Sequence, residues 1–209
     1  MIPDRRIVLF HSPQSRSACA RVLLEELGAD YQLHALNMKA AEQRGTAYLA
    51  VNPMGKVPAI LHGDVLVTEQ AAVCMYLAEL YAKAGLSPAP GDPLRGAYLR
   101  WMVFYGSCFE PAVVDLSLKR EPAPPSLCPY GSFETVLETV RQQLSTGPYL
   151  LGERYTAADV LWGSALTWIV AYKLVPELPE IVAYVDLINK RPAVMRAAAL
   201  DAELVVAQN

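Results

Sequence analysis

Residues 55–81 read GKVPAILHGDVLVTEQAAVCMYLAELY, and this stretch decides the fold. Val57 to Leu61 is a β-rich run opening at Pro58; a proline lacks the ladder N–H and is tolerated only at an edge or a strand start. His62-Gly63-Asp64 turns the chain and Val65 to Val67 returns, completing a hairpin. From Glu69 to Tyr81, Ala72, Val73, Tyr76, Leu77 and Leu80 recur at helical spacing. Working upstream, Asn52-Pro53-Met54-Gly55 is a turn by composition, preceded by an irregular or helical stretch through Leu49. Tyr31, Leu33 and Ala35 alternate with Gln32 and His34 as a half-buried strand. Ser17 to Leu27 places Ala18, Val22, Leu23 and Leu27 on a helical face and stops at Gly28. Ile7 to His11 is a β-rich run ended by Ser12-Pro13. The order is strand-helix-strand-helix-strand-strand-helix, an α/β unit.

Downstream the texture changes. Lys83 to Pro93 contains Gly85, Pro88, Pro90, Gly91 and Pro93, a density of breakers that no helix survives. Leu94 to Phe109, Phe133 to Leu144, Ala157 to Val170, Glu180 to Asn189 and Ala193 to Leu200 carry helical periodicity, with a Pro-rich loop from Glu121 to Pro129. The expected organisation is an α/β domain over residues 1–82, a linker over 83–93 and an all-helical domain over 94–209.

The composition, 53% hydrophobic and 19% charged over 209 residues, is that of a globular chain able to bury a core without staples. With a net charge of −3 and no basic run interleaved with aromatics, neither nucleic acid nor an anionic membrane is an expected partner. The polar start, Met1 to Arg6, leads into a run too short for a secretory leader, and Val160 to Tyr172 is too short to span a bilayer. A cytoplasmic location is expected. Cys19, Cys74, Cys108 and Cys128 are scattered without metal-ligand spacing, so free thiols are expected and no metal.

Three features carry chemistry. If the Val57–Pro58 bond is cis, Val57 can present its N–H and C=O outward to a peptide ligand as a short added strand; the alternative is a trans proline at a strand start. Thr68-Glu69-Gln70 opens a helix, where free N–H groups suit a carboxylate and Glu69 suits an ammonium; the alternative is capping by Thr68 alone. The loop Ser12-Pro13-Gln14-Ser15-Arg16-Ser17 leads into the first helix, whose positive end favours a thiolate. A serine hydroxyl donating to that sulfur contributes about 1.5–3 kcal/mol, roughly one to two pKa units. The alternative is a serine-rich turn with a serine cap.

Together, SPQSRS leading into RVLLEELG, NPMGKVPAI, TEQAAVCMYLAE and YTAADVLWGSAL resemble the cytosolic glutathione S-transferase superfamily over essentially the whole chain, in a bacterial, theta- or beta-like form. In the last motif Thr156 and Asp159 have capping-box spacing, a folding element. The resemblance implies a thioredoxin-like N-terminal domain with cis Pro58, followed by an all-α bundle. It implies glutathione as co-substrate, with Val57 pairing the cysteinyl backbone and Glu69 and Gln70 holding the γ-glutamyl end. The family usually carries serine at the Gln70 position. Lys56 and Lys39 are candidates for the glycine carboxylate.

Where tyrosine-using relatives carry their catalytic tyrosine, this chain has Phe10, and where beta-class relatives carry cysteine it has Ser15 or Arg16. The Pro-x-Ser spacing points to Ser15 first, then Ser17 and Ser12, with Arg16 supplying charge. A substrate wall is expected from Phe10, Trp101, Tyr105 and Cys108, with plain core as the alternative for the helix that bears the last three. His11, His34 and His62 show no partnered base pattern and receive no role. The implied activity is attack of the glutathione thiolate on an apolar electrophile, a detoxification chemistry, in a homodimer. The alternatives are a non-catalytic binding module on the same fold and a glutathione-dependent isomerase or disulfide reductase.

Overall fold

The computed structural model describes residues 6–121 and 123–208. Most of the polar N-terminal segment, and Pro122 within the Pro-rich loop, lie outside the described residues. The chain forms two compact units that divide between Ala84 and Gly85, inside the expected linker.

In the first unit, β1 (Ile7–His11), β2 (Tyr31–Ala35), β3 (Ala59–His62) and β4 (Val65–Val67) form a mixed sheet in the order β2-β1-β3-β4. Helix α1 (Ser17–Leu27) connects the parallel pair β1–β2, and the other pairings are antiparallel. Helix α2 (Thr46–Leu49) is a single turn, and α3 (Gln70–Leu80) follows β4. Strand alternation sets the two faces. Phe10 and Ala59 pack with Leu36, Tyr48 and Val57 on one, leaving the fully buried Ile7, Leu9 and Ile60 for the other. Helix α1 ends as its sequence predicts: Gly28 takes φ 58° and its N–H returns to the Glu25 carbonyl. The helices α1 and α3 meet at Cys19 and Cys74, whose sulfurs lie 3.6 Å apart as buried free thiols.

The second unit, Gly85–Lys190, is helical. The predicted helix Leu94–Phe109 is divided: α4 (Arg95–Phe104) runs into a π-helical turn, Tyr105–Phe109, and then a further helix beyond the predicted end, α5 (Glu110–Ser117). Pro111 lacks the N–H that a continuous α-helix needs, and the wider turn precedes it. Helices α6 (Phe133–Leu144), α7 (Ala157–Ala171) and α8 (Pro179–Asn189) complete the unit. Its centre is Trp162, ringed by Trp101, Tyr105 and Phe109, with its indole N–H donating to the Trp101 carbonyl at 3.0 Å. Asp159 closes the predicted capping box with Thr156 and also accepts from the Leu150 N–H and the Tyr184 hydroxyl. Burial pushes its carboxyl above the ordinary range against the pull of those donors.

The last helix, α9 (Pro192–Ala207), groups with the first compact unit. It packs on α1, and ion pairs join the two: Arg191 makes a forked pair with Glu26 at 2.5 and 2.9 Å, and Arg21 donates to Asp201 at 2.6 Å. Periodicity reveals that a helix has an apolar side; the partner it packs on is not encoded in that pattern.

Candidate functional site

The sheet register brings the predicted segments to one edge. The end of β1 lies beside the start of β3, since Phe10 pairs with Ala59. The end of β4 reaches the same level, with Val67 opposite Ile60. The end of β2 does too, with Ala35 opposite His11. The Ser12–Ser17 loop, the Lys39 segment, Val57–Pro58 and Thr68–Gln70 therefore all leave or enter the sheet at one end.

The Val57–Pro58 bond is cis. Behind it, Asn52 is buried; its side-chain amide donates to the Lys56 carbonyl at 2.9 Å, and its Oδ1 accepts the Met54 N–H at 3.1 Å. The Tyr48 hydroxyl donates to the same Lys56 carbonyl at 2.5 Å. Gly55 has φ 59°, and a Cβ there would lie 2.7 Å from the Gln43 carbonyl oxygen, so the turn requires glycine. This scaffold fixes Val57, whose own backbone N–H and C=O make no hydrogen bond among the described residues. Those two groups are what an extended peptide needs in order to pair.

Glu69 is exposed and sits at φ 63°, ψ 118°, a conformation side-chain-bearing residues avoid. No side chain caps α3; Thr68 Oγ1 turns to Glu69 Oε1 at 3.5 Å, so capping by Thr68 is not what this segment does. No N-cap side chain accepts from the first N–H groups of this 11-residue helix. Gln70 is half-buried, and Lys39 and Lys56 are exposed.

The serine loop is tightly wired. Ser15 Oγ, half-buried, lies 2.7 Å from both the Ser12 carbonyl and Ser17 Oγ, and accepts the Ser17 N–H at 3.2 Å. Ser17, fully buried, also reaches His11 Nδ1 at 2.8 Å and the Ser12 N–H and C=O at 3.1 Å. Arg16 is exposed at the helix N-cap, and its side chain makes no cap. His11, for which the sequence shows no partnered base pattern, is fully buried and lies 3.0 Å from Asp201 through Nε2. A histidine closing an apolar strand was the available signal; its carboxylate partner is 190 residues away.

Phe10, Trp101 and Tyr105 are interior side chains; Phe10 packs on Tyr48, Trp101 packs on Trp162, and the Tyr105 hydroxyl donates to Glu110. Cys108 is partly exposed. Among the described residues no cluster of three or more His, Cys, Asp or Glu is placed to hold a metal, and no helix is long and apolar enough to cross a membrane.

Residues 6–79 match the glutathione S-transferase N-terminal domain, and residues 130–196 match the glutathione S-transferase C-terminal domain. The chain belongs to the glutathione S-transferase family. This transferase is 30% identical over 192 residues to glutathione S-transferase GstA of Escherichia coli O157:H7, covering 90% of this chain and 96% of that one. Its fold matches a glutathione transferase of Methylococcus capsulatus with a TM-score of 0.80 at 28% identity, covering 94% and 98% of the two chains. A sphingomonad glutathione S-transferase complexed with glutathione matches at 0.74 and 29% identity, covering 93% and 98%.

Proposed function

We propose that this transferase binds glutathione along the loop end of its sheet and ionises the thiol at the serine loop for attack on an apolar electrophile. Val57 pairs with the cysteinyl backbone, while Glu69, Gln70 and the start of α3 take the γ-glutamyl ammonium and carboxylate. Lys39 and Lys56 supply positive charge for the glycine carboxylate. Ser15 stands nearest the sulfur, with Arg16 adding charge at the mouth. The observation that carries this reading is Glu69. A non-glycine residue held at φ 63° costs of order 1–3 kcal/mol, and such strain persists where a site demands it. Its neighbour Val57, pre-set with both backbone groups unpaired, supports the same assignment. The sphingomonad relative complexed with glutathione supports the ligand class. Homodimerisation belongs to the same proposal, and sedimentation at micromolar concentration tests it.

Calorimetric titration with glutathione, with ultraviolet thiolate absorbance read against pH, is the test. Glu69→Ala is expected to lose affinity, Ser15→Ala to raise the bound thiol pKa, and Arg16→Ala to do so more weakly. A wild-type protein that binds nothing at millimolar glutathione overturns the reading.

A further inference from the structure

We propose that Ser15, Ser17 and His11 form a proton relay, anchored by Asp201, that carries the glutathione thiol proton inward to the buried imidazole. The inference rests on the glutathione reading above and deepens it. Oxygen and nitrogen atoms run without a gap from Ser15 Oγ to Ser17 Oγ (2.7 Å), to His11 Nδ1 (2.8 Å), and from His11 Nε2 to Asp201 Oδ1 (3.0 Å). Arg21 closes the chain on the same carboxylate oxygen at 2.6 Å.

Donor and acceptor counting allows one continuous set of directions along this path, with the Ser12 carbonyl as a second acceptor for Ser15 and Ser17. Asp201 accepts from both neighbours, and burial would raise its carboxyl, but the hydrogen bonds from His11 and Arg21, with the Arg21 charge, hold it below the ordinary range. The ionised carboxylate takes the His11 Nε2 proton, so neutral His11 presents Nδ1 as an acceptor. Ser17 then donates to Nδ1, and its oxygen accepts from the Ser12 N–H and from Ser15. In that state the single Ser15 proton has two acceptors at 2.7 Å, Ser17 Oγ and the Ser12 carbonyl, and the relay uses its orientation toward Ser17, with Ser15 accepting from a donor outside.

A thiol at that position completes the path. Its proton goes to Ser15 Oγ, the Ser15 proton to Ser17 Oγ, and the Ser17 proton to His11 Nδ1. One S–H bond is lost and one N–H bond gained, each hydroxyl exchanges its proton, and no electrons are transferred between groups. Every hydroxyl now points the other way, and Ser15 donates to the thiolate it has just produced. The charges facing His11 are Asp201 from α9 and Arg21 from α1, and β2 presents Ala35; Arg21 in turn bonds Tyr31, which donates to Glu25. Arg21 and Asp201 cancel before the transfer, and the new imidazolium and thiolate cancel after it. The buried cluster never carries an uncompensated charge. His11 touches no substrate atom and acts through the two serines.

The test separates peptide binding from proton movement. S-methylglutathione has no thiol proton, so its affinity reports the binding site alone. The chain has three histidines, so nitrogen-15 labelling resolves the His11 ring in the wild-type protein. Glutathione at neutral pH is expected to protonate Nδ1, and S-methylglutathione to leave it bare. Ser17→Ala and His11→Gln are expected to bind S-methylglutathione within about twofold of wild type, while the bound thiol pKa rises by about one unit, a tenfold loss of thiolate. A bound thiolate beside an unprotonated Nδ1 overturns the relay, as does a wild-type thiol pKa in both variants. Should either variant fail to fold, the wild-type nitrogen signal decides. Failure of the wild type to bind S-methylglutathione or glutathione overturns the glutathione reading and the relay with it.

Discussion

Replacing Glu69 by glycine separates two demands made on one residue. At φ 63° and ψ 118° the native side chain imposes strain of about 1–3 kcal/mol. Glycine removes that strain and restores about 0.5–1 kcal/mol of unfolded-chain freedom. The difference leaves Glu69→Gly more stable than Glu69→Ala by roughly 1 kcal/mol, since alanine keeps the strain. For a chain of this length that is about 2–4 °C in Tm. Both variants lose the carboxylate proposed to hold the glutathione ammonium. A charged hydrogen bond contributes about 1.5–3 kcal/mol, so affinity falls roughly 10- to 150-fold in each. Urea denaturation of the three proteins, paired with glutathione calorimetry, reads both quantities. Stability and binding should move in opposite directions for glycine. A glycine variant less stable than the alanine variant by about 1 kcal/mol, the cost of a flexible residue with no strain to relieve, would refute the reasoning.

Gly163→Ala sets helix propensity against packing. The added methyl would sit 2.5 Å from Ile188 Cγ2, so denaturation should show about 1–3 kcal/mol of destabilisation, where propensity alone predicts a gain of about 1. Gly55→Ala drives a Cβ to 2.7 Å from the Gln43 carbonyl at positive φ; a lower Tm and weaker binding of S-methylglutathione are expected, because the turn that sets Val57 must move. Asp201 has a depressed folded pKa, so its contribution is complete above the unfolded value near 4 and is lost as pH falls through the folded one. Stability of wild type minus Asp201→Asn, followed by urea denaturation, should therefore shrink as the pH is lowered from about 4.

The sequence was most legible where local rules agree. Ser17–Leu27 is the helix its periodicity and Gly28 predict, and the β3–β4 hairpin follows from His62-Gly63-Asp64. Near Pro111 the apolar spacing continued while the backbone did not, because the spacing carries no signal for a π-helical turn. At the candidate site the loops themselves were readable, since each leaves a strand whose register is fixed. Their supports were not. Asn52 and Tyr48 act behind Val57 through hydrogen bonds invisible in one dimension. His11 looked unpartnered because Asp201 comes from the far end of the chain. Trp101 and Tyr105 had the right chemistry for a pocket wall, and tertiary packing placed them in an aromatic core instead.

The return of α9 to the first unit has a consequence for synthesis. Helices α4 to α8 are complete once residue 190 has left the ribosome, but β1 and α1, made first, must wait for the last helix to complete their surroundings. A nascent chain interrupted before residue 191 would contain the helical unit and a sheet unit whose buried imidazole has no Asp201 carboxylate. In this arrangement His11 meets its carboxylate only after a further 190 residues have been translated, so the relay proposed above cannot assemble before Asp201 is made.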